Sequence, residues 1–322
     1  MTERGRAAIG IFGKAPWRAE YFKLRWDGEP FSSFDAWLTD NVEWAALHAA
    51  SAFAEASRAG GVNAFVFRPR GGQGVLAGAI AGSTDSAGRN FPLVVAASLM
   101  GSSAAIASYP EVLPLVLEDF WQLSSEVAVA VQGAGSAEQA AIAAPADFLW
   151  VIEGPEARAA YAEWSAALPL GDLFTLVYGP GGLDVGAGAV RFVVEAVRPV
   201  RGVEQPRTPL TLRLPLGAAG GAAVCFWVDL VRRSAEWKST IPSFFWSHDG
   251  AAGSLLLHVG DAPRSTLADL WTSASERAEL CDLTQPLSSE QLRAIPELPP
   301  GLARCFDADH RVAQLIAVAG PA

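Results

Sequence analysis

The sequence has little cysteine and little histidine. Three cysteines are spread over 322 residues and form no Cys-x-x-Cys pair, which argues against a disulfide scaffold and a zinc ribbon. An odd number of scattered thiols is typical of a reducing cytoplasm. Four histidines leave few side chains that titrate near neutral pH. We therefore expect a cytoplasmic protein, and we expect neither a bound metal nor a cofactor.

The sequence also lacks the common catalytic motifs. A phosphate-binding P-loop would need glycine in place of Ala8 before Gly13-Lys14, and a hydroxyl in place of Ala15. No Gly-x-Gly-x-x-Gly follows a predicted strand, and neither a Gly-x-Ser-x-Gly nucleophile elbow nor a His-Glu-x-x-His zinc motif occurs. These absences predict a protein without enzymatic activity.

One alternative is an enzyme of the hydrolase or phosphatase type. It would use Asp85, His248 or Asp307 as its catalytic groups. His248 and His258 also lie on either side of a predicted hairpin, so a two-histidine metal site stays open.

Positive charge is scarce as well. With 34 acidic and 24 basic side chains, the formal net charge of −10 argues against binding nucleic acid or an anionic membrane. Residues Asn90–Pro110 carry no charge and are long enough to span a bilayer. Because Pro92, Gly101 and several serines dilute their hydrophobicity, we predict a buried strand followed by a loop, and no membrane insertion.

Apolar residues make up 51% of the chain, which is ample for a large core. Apolar runs predict strands at 7–12, 62–68, 75–82 and 91–99, with short glycine-rich links that favour hairpins. Three- and four-residue apolar spacing predicts a helix from about Ser33, with that residue as its cap. A second helix is predicted over Pro110–Val131.

The second half has its own strand and helix signals. Residues 210–216 alternate as a half-buried strand does, and residues 222–237 favour a helix while leaving a strand open. Residues 242–247 and 254–259 flank Asp249-Gly250, which predicts a hairpin. Ser288 has the spacing of a capping box.

These patterns predict an α/β fold with an α+β tendency. We expect two lobes, each a mostly antiparallel or mixed sheet packed with helices in a layered α/β/α arrangement. The predicted domains are 1–133 and 145–322, and the Ala/Gly/Ser-rich residues 134–144 are the predicted linker.

The segment Trp17–Trp26 mixes aromatic and charged residues. Aromatic and arginine side chains are typical of interface hot spots. They also serve simply to cover the edge of a core. The sequence leaves both interpretations open.

Two motifs carry a resemblance to a known family. Near the amino terminus stand Gly13, Lys14, Pro16, Trp17 and Arg18, and a later turn contains Ser83, Asp85, Gly88, Arg89, Phe91, Pro92 and Leu93. Together they resemble the TagF (ImpM) family of type VI secretion accessory proteins. The later turn matches the pattern Ser-x-Asp-x-x-Gly-Arg-x-Phe-Pro-Leu in full, whereas Ala19-Glu20 replaces the family's Gly-Asp pair.

The turn also has a direct physical interpretation. Asp85 can accept hydrogen bonds from backbone amides, Gly88 can adopt a positive φ, and Arg89 can pair with Asp85. Pro92 suits the start of a strand. The motif can therefore be architectural, or Asp85 and Arg89 can contact a partner.

The resemblance implies a regulatory function. TagF-like proteins are cytoplasmic, have no known enzymatic activity, and restrain assembly or firing of the secretion apparatus after translation. The implied partner is a scaffold protein with a forkhead-associated (FHA) domain. A structural subunit of the apparatus is a further alternative. The candidate partner-binding residues are Gly13, Lys14, Pro16, Trp17, Arg18, Asp85, Gly88, Arg89, Phe91 and Pro92.

Overall fold

The computed structural model describes residues 6–59, 61–71, 74–99, 108–149, 154–247, 253–272, 279–307 and 310–320. These residues form a mixed α/β fold with ten strands and thirteen α-helices. The first half contains β1 (Arg6–Gly13), β2 (Phe22–Leu24), α1 (Phe31–His48), α2 (Ala50–Ala59), β3 (Val62–Phe67), β4 (Leu76–Ala81), β5 (Leu93–Ser98), α3 (Leu113–Val116), α4 (Glu118–Gly133), α5 (Ala137–Ala143) and β6 (Asp147–Leu149). The second half contains α6 (Gly154–Ala167), α7 (Leu170–Tyr178), α8 (Gly182–Val197), β7 (Thr211–Pro215), α9 (Gly220–Ser234), β8 (Ser243–Ser247), β9 (Ser254–His258), α10 (Thr266–Trp271), β10 (Leu280–Asp282), α11 (Ser289–Ala294), α12 (Pro300–Asp307) and α13 (Val312–Ala319).

A single sheet runs through both halves of the chain. Its strand order is β10-β7-β9-β8-β3-β4-β5-β1-β2, and β6 also pairs with β1. The β10–β7 pair is parallel and the other described pairs are antiparallel. The predicted α/β class is confirmed, but the two-lobe arrangement is not. β3 of the first half pairs with β8 of the second, because both are buried strands whose backbone groups need partners.

Helices cover both faces of this sheet. Along β3, Ala64 and Val66 belong to one hydrophobic core, and Phe65 and Phe67 belong to the other. Helices α1, α2 and α10 contribute to the core that contains Phe65, whereas α4, α8 and α9 contribute to the larger one. The predicted α/β/α layering is thus confirmed.

The four strand predictions in the first half are confirmed. Strand β1 is one residue longer at each end, whereas β3, β4 and β5 are shorter by one or two residues at an end. The predicted helix cap is wrong. Helix α1 begins at Phe31, and the Ser33 hydroxyl donates to Glu29 Oε2 at 2.7 Å instead of capping a backbone amide. Residues 100–107 of the uncharged stretch lie outside the described residues. None of the described helices is both long enough and apolar enough to cross a membrane.

The second half corrects one prediction and confirms three. β7 is buried along its whole length, not half-buried, because it lies between two strands in a sheet covered on both faces. α9 is a helix, β8 and β9 pair antiparallel as predicted, and the Ser288 capping box is present. The predicted turn at Asp249-Gly250 lies outside the described residues.

The predicted linker contains helix α5. Ala140 of this helix is buried in the larger core. The division into domains 1–133 and 145–322 stays a prediction.

Candidate functional site

Sheet register brings the two sequence motifs together. β1 and β5 are antiparallel neighbours, and Gly13 at the end of β1 lies opposite Leu93 at the start of β5. Residues 13–21 comprise the end of β1 and the segment that follows it, and residues 83–92 lie between β4 and β5. These two segments form what we call the β1–β5 corner.

Gly13 is the point of closest approach within the corner. Its φ is +137°, which side-chain-bearing residues rarely adopt. A Cβ atom at this position would lie 2.0 Å from the carbonyl oxygen of Pro92. Only glycine fits here without moving one of the two backbones.

Asp85 is the centre of the corner. Its Oδ1 accepts hydrogen bonds from the backbone amides of Ala87 and Arg89, both at 2.9 Å. Its Oδ2 accepts from Lys14 Nζ at 2.5 Å and from Arg89 Nε at 2.7 Å. The Asp85 side chain is 0% exposed and that of Lys14 is 7% exposed, so this is a buried ion pair between the two motifs.

The charge state of Asp85 follows from these contacts. Burial alone raises the pKa of the carboxyl, but the hydrogen bonds from Lys14, Arg89 and Ala87 outweigh it and hold the pKa well below its usual value. Asp85 is therefore ionised at neutral pH. Both of its oxygens are fully engaged, which is typical of a structural carboxylate and disfavours a catalytic one.

The turn between the strands has the predicted geometry. Gly88 adopts a φ of +78°, and its amide donates to Asp85 O at 2.9 Å. The amide of Asp85 donates to Arg89 O at 3.0 Å. The contacts expected of Asp85, Gly88 and Arg89 within the turn are present, and a partner contact by Asp85 or Arg89 stays a prediction.

Arg89 extends from the turn to the surface. Its side chain is 61% exposed, and one terminal guanidinium nitrogen donates to Ala19 O at 2.6 Å. The amide of Ser86 donates to Arg18 O at 3.2 Å. The guanidinium of Arg18 is partly exposed and lies 3.9 Å from the carboxylate of Glu20. Both arginines thus stand at the rim of the β1–β5 corner.

The aromatic residues divide between core and surface. Trp17 is half-buried, and its Nε1 donates to Val131 O on α4 at 2.8 Å, which favours the core-edge interpretation for this residue. Phe91 is buried and packs edge-to-face against the Tyr21 ring at 4.8 Å. Tyr21 is 44% exposed and completes the surface beside Lys14.

The predicted site residues therefore meet, but they differ in accessibility. Gly13, Lys14, Asp85, Phe91 and Pro92 are buried, whereas Pro16, Gly88 and Arg89 are exposed and Trp17 and Arg18 are intermediate. Sequence reasoning missed the Lys14–Asp85 pair because 71 positions separate the two residues. It also missed Tyr21 as a surface residue, although Tyr21 lies in the mixed aromatic and charged segment Trp17–Trp26.

Among the other candidate catalytic and metal-binding residues, the structure describes His258 and Asp307. His258 is buried, with ring nitrogens 2.9 Å from Thr211 Oγ1 and 3.3 Å from Thr266 Oγ1. His248 lies outside the described residues, and Asp307 is an exposed residue at the end of α12. Within the described part of the chain, no group of three or more His, Cys, Asp or Glu residues is arranged to hold a metal ion.

Comparison with known proteins identifies the family of the first segment. Residues 10–144 match the model of the TagF N-terminal domain, described as type VI secretion system-associated. No curated protein matches. A crystal structure of PA0076 from Pseudomonas aeruginosa PAO1 superposes with a TM-score of 0.48 at 16% identity, covering 91% of this chain and 100% of that one. The segment matched by the family model contains the whole β1–β5 corner.

Proposed function

We propose that this chain, which belongs to the TagF family through residues 10–144 and is therefore type VI secretion-associated, is a non-enzymatic cytoplasmic regulator. It would restrain assembly or firing of the secretion apparatus after translation by binding another component. An FHA-domain scaffold is the partner that the family resemblance implies. The β1–β5 corner is the proposed contact surface.

One observation carries this proposal. The two family motifs, far apart in sequence, converge on one corner where a buried Lys14–Asp85 pair fixes an exposed arginine, Arg89. Preorganised side chains lose little conformational entropy on binding, which raises the affinity of a small surface. Arginine and tyrosine are also favoured in interface hot spots.

In this proposal, the buried and the exposed residues of the corner have different roles. Asp85 is too deeply buried to contact a partner, so its role is to position Arg89. The side chains that are exposed or partly exposed, and can therefore contact a partner, are Arg89, Arg18 and Tyr21. A negatively charged patch on the partner would complement the two arginines.

A pull-down of the FHA scaffold with purified protein tests the surface. We expect the double variant Arg18→Ala/Arg89→Ala to bind at least about thirtyfold more weakly, because even one hot-spot truncation costs on the order of 2 kcal/mol. Arg70→Ala is the matched control. Arg70 is similarly exposed, also makes one ion pair with an aspartate, and follows β3 at the opposite end of β4 from the corner.

Equal binding by the double variant and the parent would refute the surface assignment. Deleting the gene and scoring effector secretion then tests the regulatory role, with increased secretion as the expected result. Stable recovery of the protein in assembled sheath or baseplate particles would instead favour a structural subunit.

A further inference from the structure

A polar cavity in the second half of the fold has no role in the proposed partner contact. Its volume is 310 Å³, and we call it the basic groove. It is lined by Ser108, Glu111, Arg158, Asp229, Arg232, Arg233, Trp237 and Lys238. These residues come from α6, from the end of α9 with the loop that follows it, and from the segment before α3. An adjoining cavity of 270 Å³ shares four of these residues.

The groove has an excess of positive charge. Four of its side chains are cationic and two are carboxylates, which leaves an excess of two positive charges in a protein whose net charge is −10. Glu111 is buried and lies 3.4 Å from Arg158 and 2.6 Å from Arg232. Asp229 is buried and lies 2.9 Å from Arg233. The carboxylates therefore hold three arginines in place without neutralising the groove.

Two buried donors of the groove lack hydrogen-bond partners among the described residues. They are Nε1 of Trp237 and Nε of Arg232. The Trp237 side chain is buried, with only 5% of the residue exposed. Because a buried donor without a partner is costly, such groups are uncommon unless a ligand or water satisfies them. Both donors belong to residues that line the same cavity.

The loop that carries Trp237 and Lys238 is held in place. Glu204 accepts hydrogen bonds from the backbone amides of Lys238 and Ser239 at 2.7 and 3.1 Å. Arg232 also donates to Lys238 O at 3.3 Å. The Lys238 side chain itself is exposed at the groove. Its ammonium can therefore be changed while the backbone contacts remain.

We propose that the basic groove binds a phosphate group of a small molecule. Arginine guanidinium groups match the oxygens of phosphate, and the two unpartnered groups of the lining residues are both donors. A phosphate dianion carries the charge that balances the excess of two, whereas a carboxylate would balance half of it. The acidic surface elsewhere disfavours a nucleic acid backbone as the source of the phosphate.

Titration with inorganic phosphate, monitored by the indole ¹H–¹⁵N signals of the tryptophans, tests this proposal on the full chain. The signal absent from the Trp237→Phe spectrum identifies Trp237. We expect this signal to shift saturably with phosphate and to stay in place with chloride at the same ionic strength. Calorimetry then measures the affinity of each variant for phosphate.

Trp237→Phe keeps an aromatic side chain but removes the pyrrole ring with its N–H, so we expect affinity to fall by about tenfold, the usual effect of losing one donor to an ion. Its control is Trp121→Phe, because the Trp121 indole also lacks a partner among the described residues but does not line the groove. Lys238→Glu should weaken binding by more than tenfold. Its control is Arg58→Glu, which makes the same charge change on the exposed surface of α2.

Three results would overturn the proposal: no shift of the Trp237 signal, an equal shift with chloride, or unchanged phosphate affinity in both groove variants. Phosphate binding is measured without any protein partner. Its failure therefore leaves the proposed partner contact standing, and failure of the pull-down leaves phosphate binding standing.

Discussion

Replacing Asp85 by asparagine removes the negative charge of the β1–β5 corner while nearly preserving the shape of the side chain. The carboxylate accepts four hydrogen bonds, two on each oxygen. Asparagine offers one oxygen, and its amide nitrogen would face donors. Lys14, only 7% exposed, would lose its counter-ion.

The size of the effect follows from burial. Removing one partner of a buried ion pair costs about 3–5 kcal/mol, because the remaining charge stays buried without compensation. Asp35→Asn is the matched control. Asp35 pairs with Lys23 at 2.9 Å, but their side chains are 26% and 52% exposed, so the same substitution should cost about 0–1 kcal/mol.

Urea unfolding, followed by tryptophan fluorescence and far-UV circular dichroism, measures both differences. We expect Asp85→Asn to lower the free energy of unfolding several times more than Asp35→Asn does. Adding Lys14→Met to Asp85→Asn should cost less than the sum of the two single changes, because the second change removes the uncompensated ammonium.

The pH dependence provides an independent test. The pKa of Asp85 is lower in the folded protein than its ordinary value of about 3.9 in an unfolded chain. The carboxylate therefore stabilises the fold fully above that ordinary value, and its contribution is lost as the pH falls toward the folded-state pKa. The difference between the parent and Asp85→Asn should be constant at neutral pH and shrink below about pH 4.

An Asp85→Asn protein within about 0.5 kcal/mol of the parent at pH 7 would refute this reasoning, since that is the range of ordinary surface substitutions. A difference that stayed constant down to pH 2 would refute the assigned direction of the pKa shift.

Two further predictions concern the backbone and the thiols. Gly88→Ala should cost about 1 kcal/mol, because φ is positive but space is open, and Gly13→Ala should cost about 1–3 kcal/mol more, because its Cβ would meet the Pro92 carbonyl. Urea midpoints measure both, and equal costs would contradict the predicted clash. Cys225 is fully buried and burial raises the pKa of its thiol, so a thiol reagent should label the half-buried Cys281 first. Mass spectrometry of the native protein checks the order, and simultaneous labelling would contradict it.

Much of the fold could be predicted from local patterns. Strands β1, β3, β4 and β5 and the β8–β9 hairpin follow from apolar runs and short links, since both are properties of neighbouring residues. The pairing of β3 with β8 could not be predicted in this way. It depends on which buried edges meet in space, and nothing in either strand's own sequence specifies the other.

The prediction that Ser33 caps α1 was wrong for a related reason. Ser33 is a suitable capping residue, but the chain places the Glu29 carboxylate within reach of its hydroxyl, and the helix begins two residues earlier. A capping preference is worth about 1 kcal/mol, which a local competitor can override.

The candidate site was predictable in part. The roles of Asp85, Gly88 and Arg89 within the turn follow from the turn chemistry of a few adjacent residues. The burial of Lys14 against Asp85 depends on the β1–β5 register, which brings distant segments into contact. The unpartnered indole of Trp237 has no signal in the sequence, because only the packing around it removes water.

The β3–β8 pairing has a practical consequence for anyone who shortens this protein. A fragment that stops after the family-matched segment would leave β3 as an exposed edge strand. The peptide groups that bond to β8 in the whole chain would then have no partner strand. An exposed edge strand can pair with a strand of another molecule, which drives self-association. The end of the family-matched segment need not be the end of a stable folding unit. A shortened protein that is to stay soluble should therefore retain β8 and the strands that follow it.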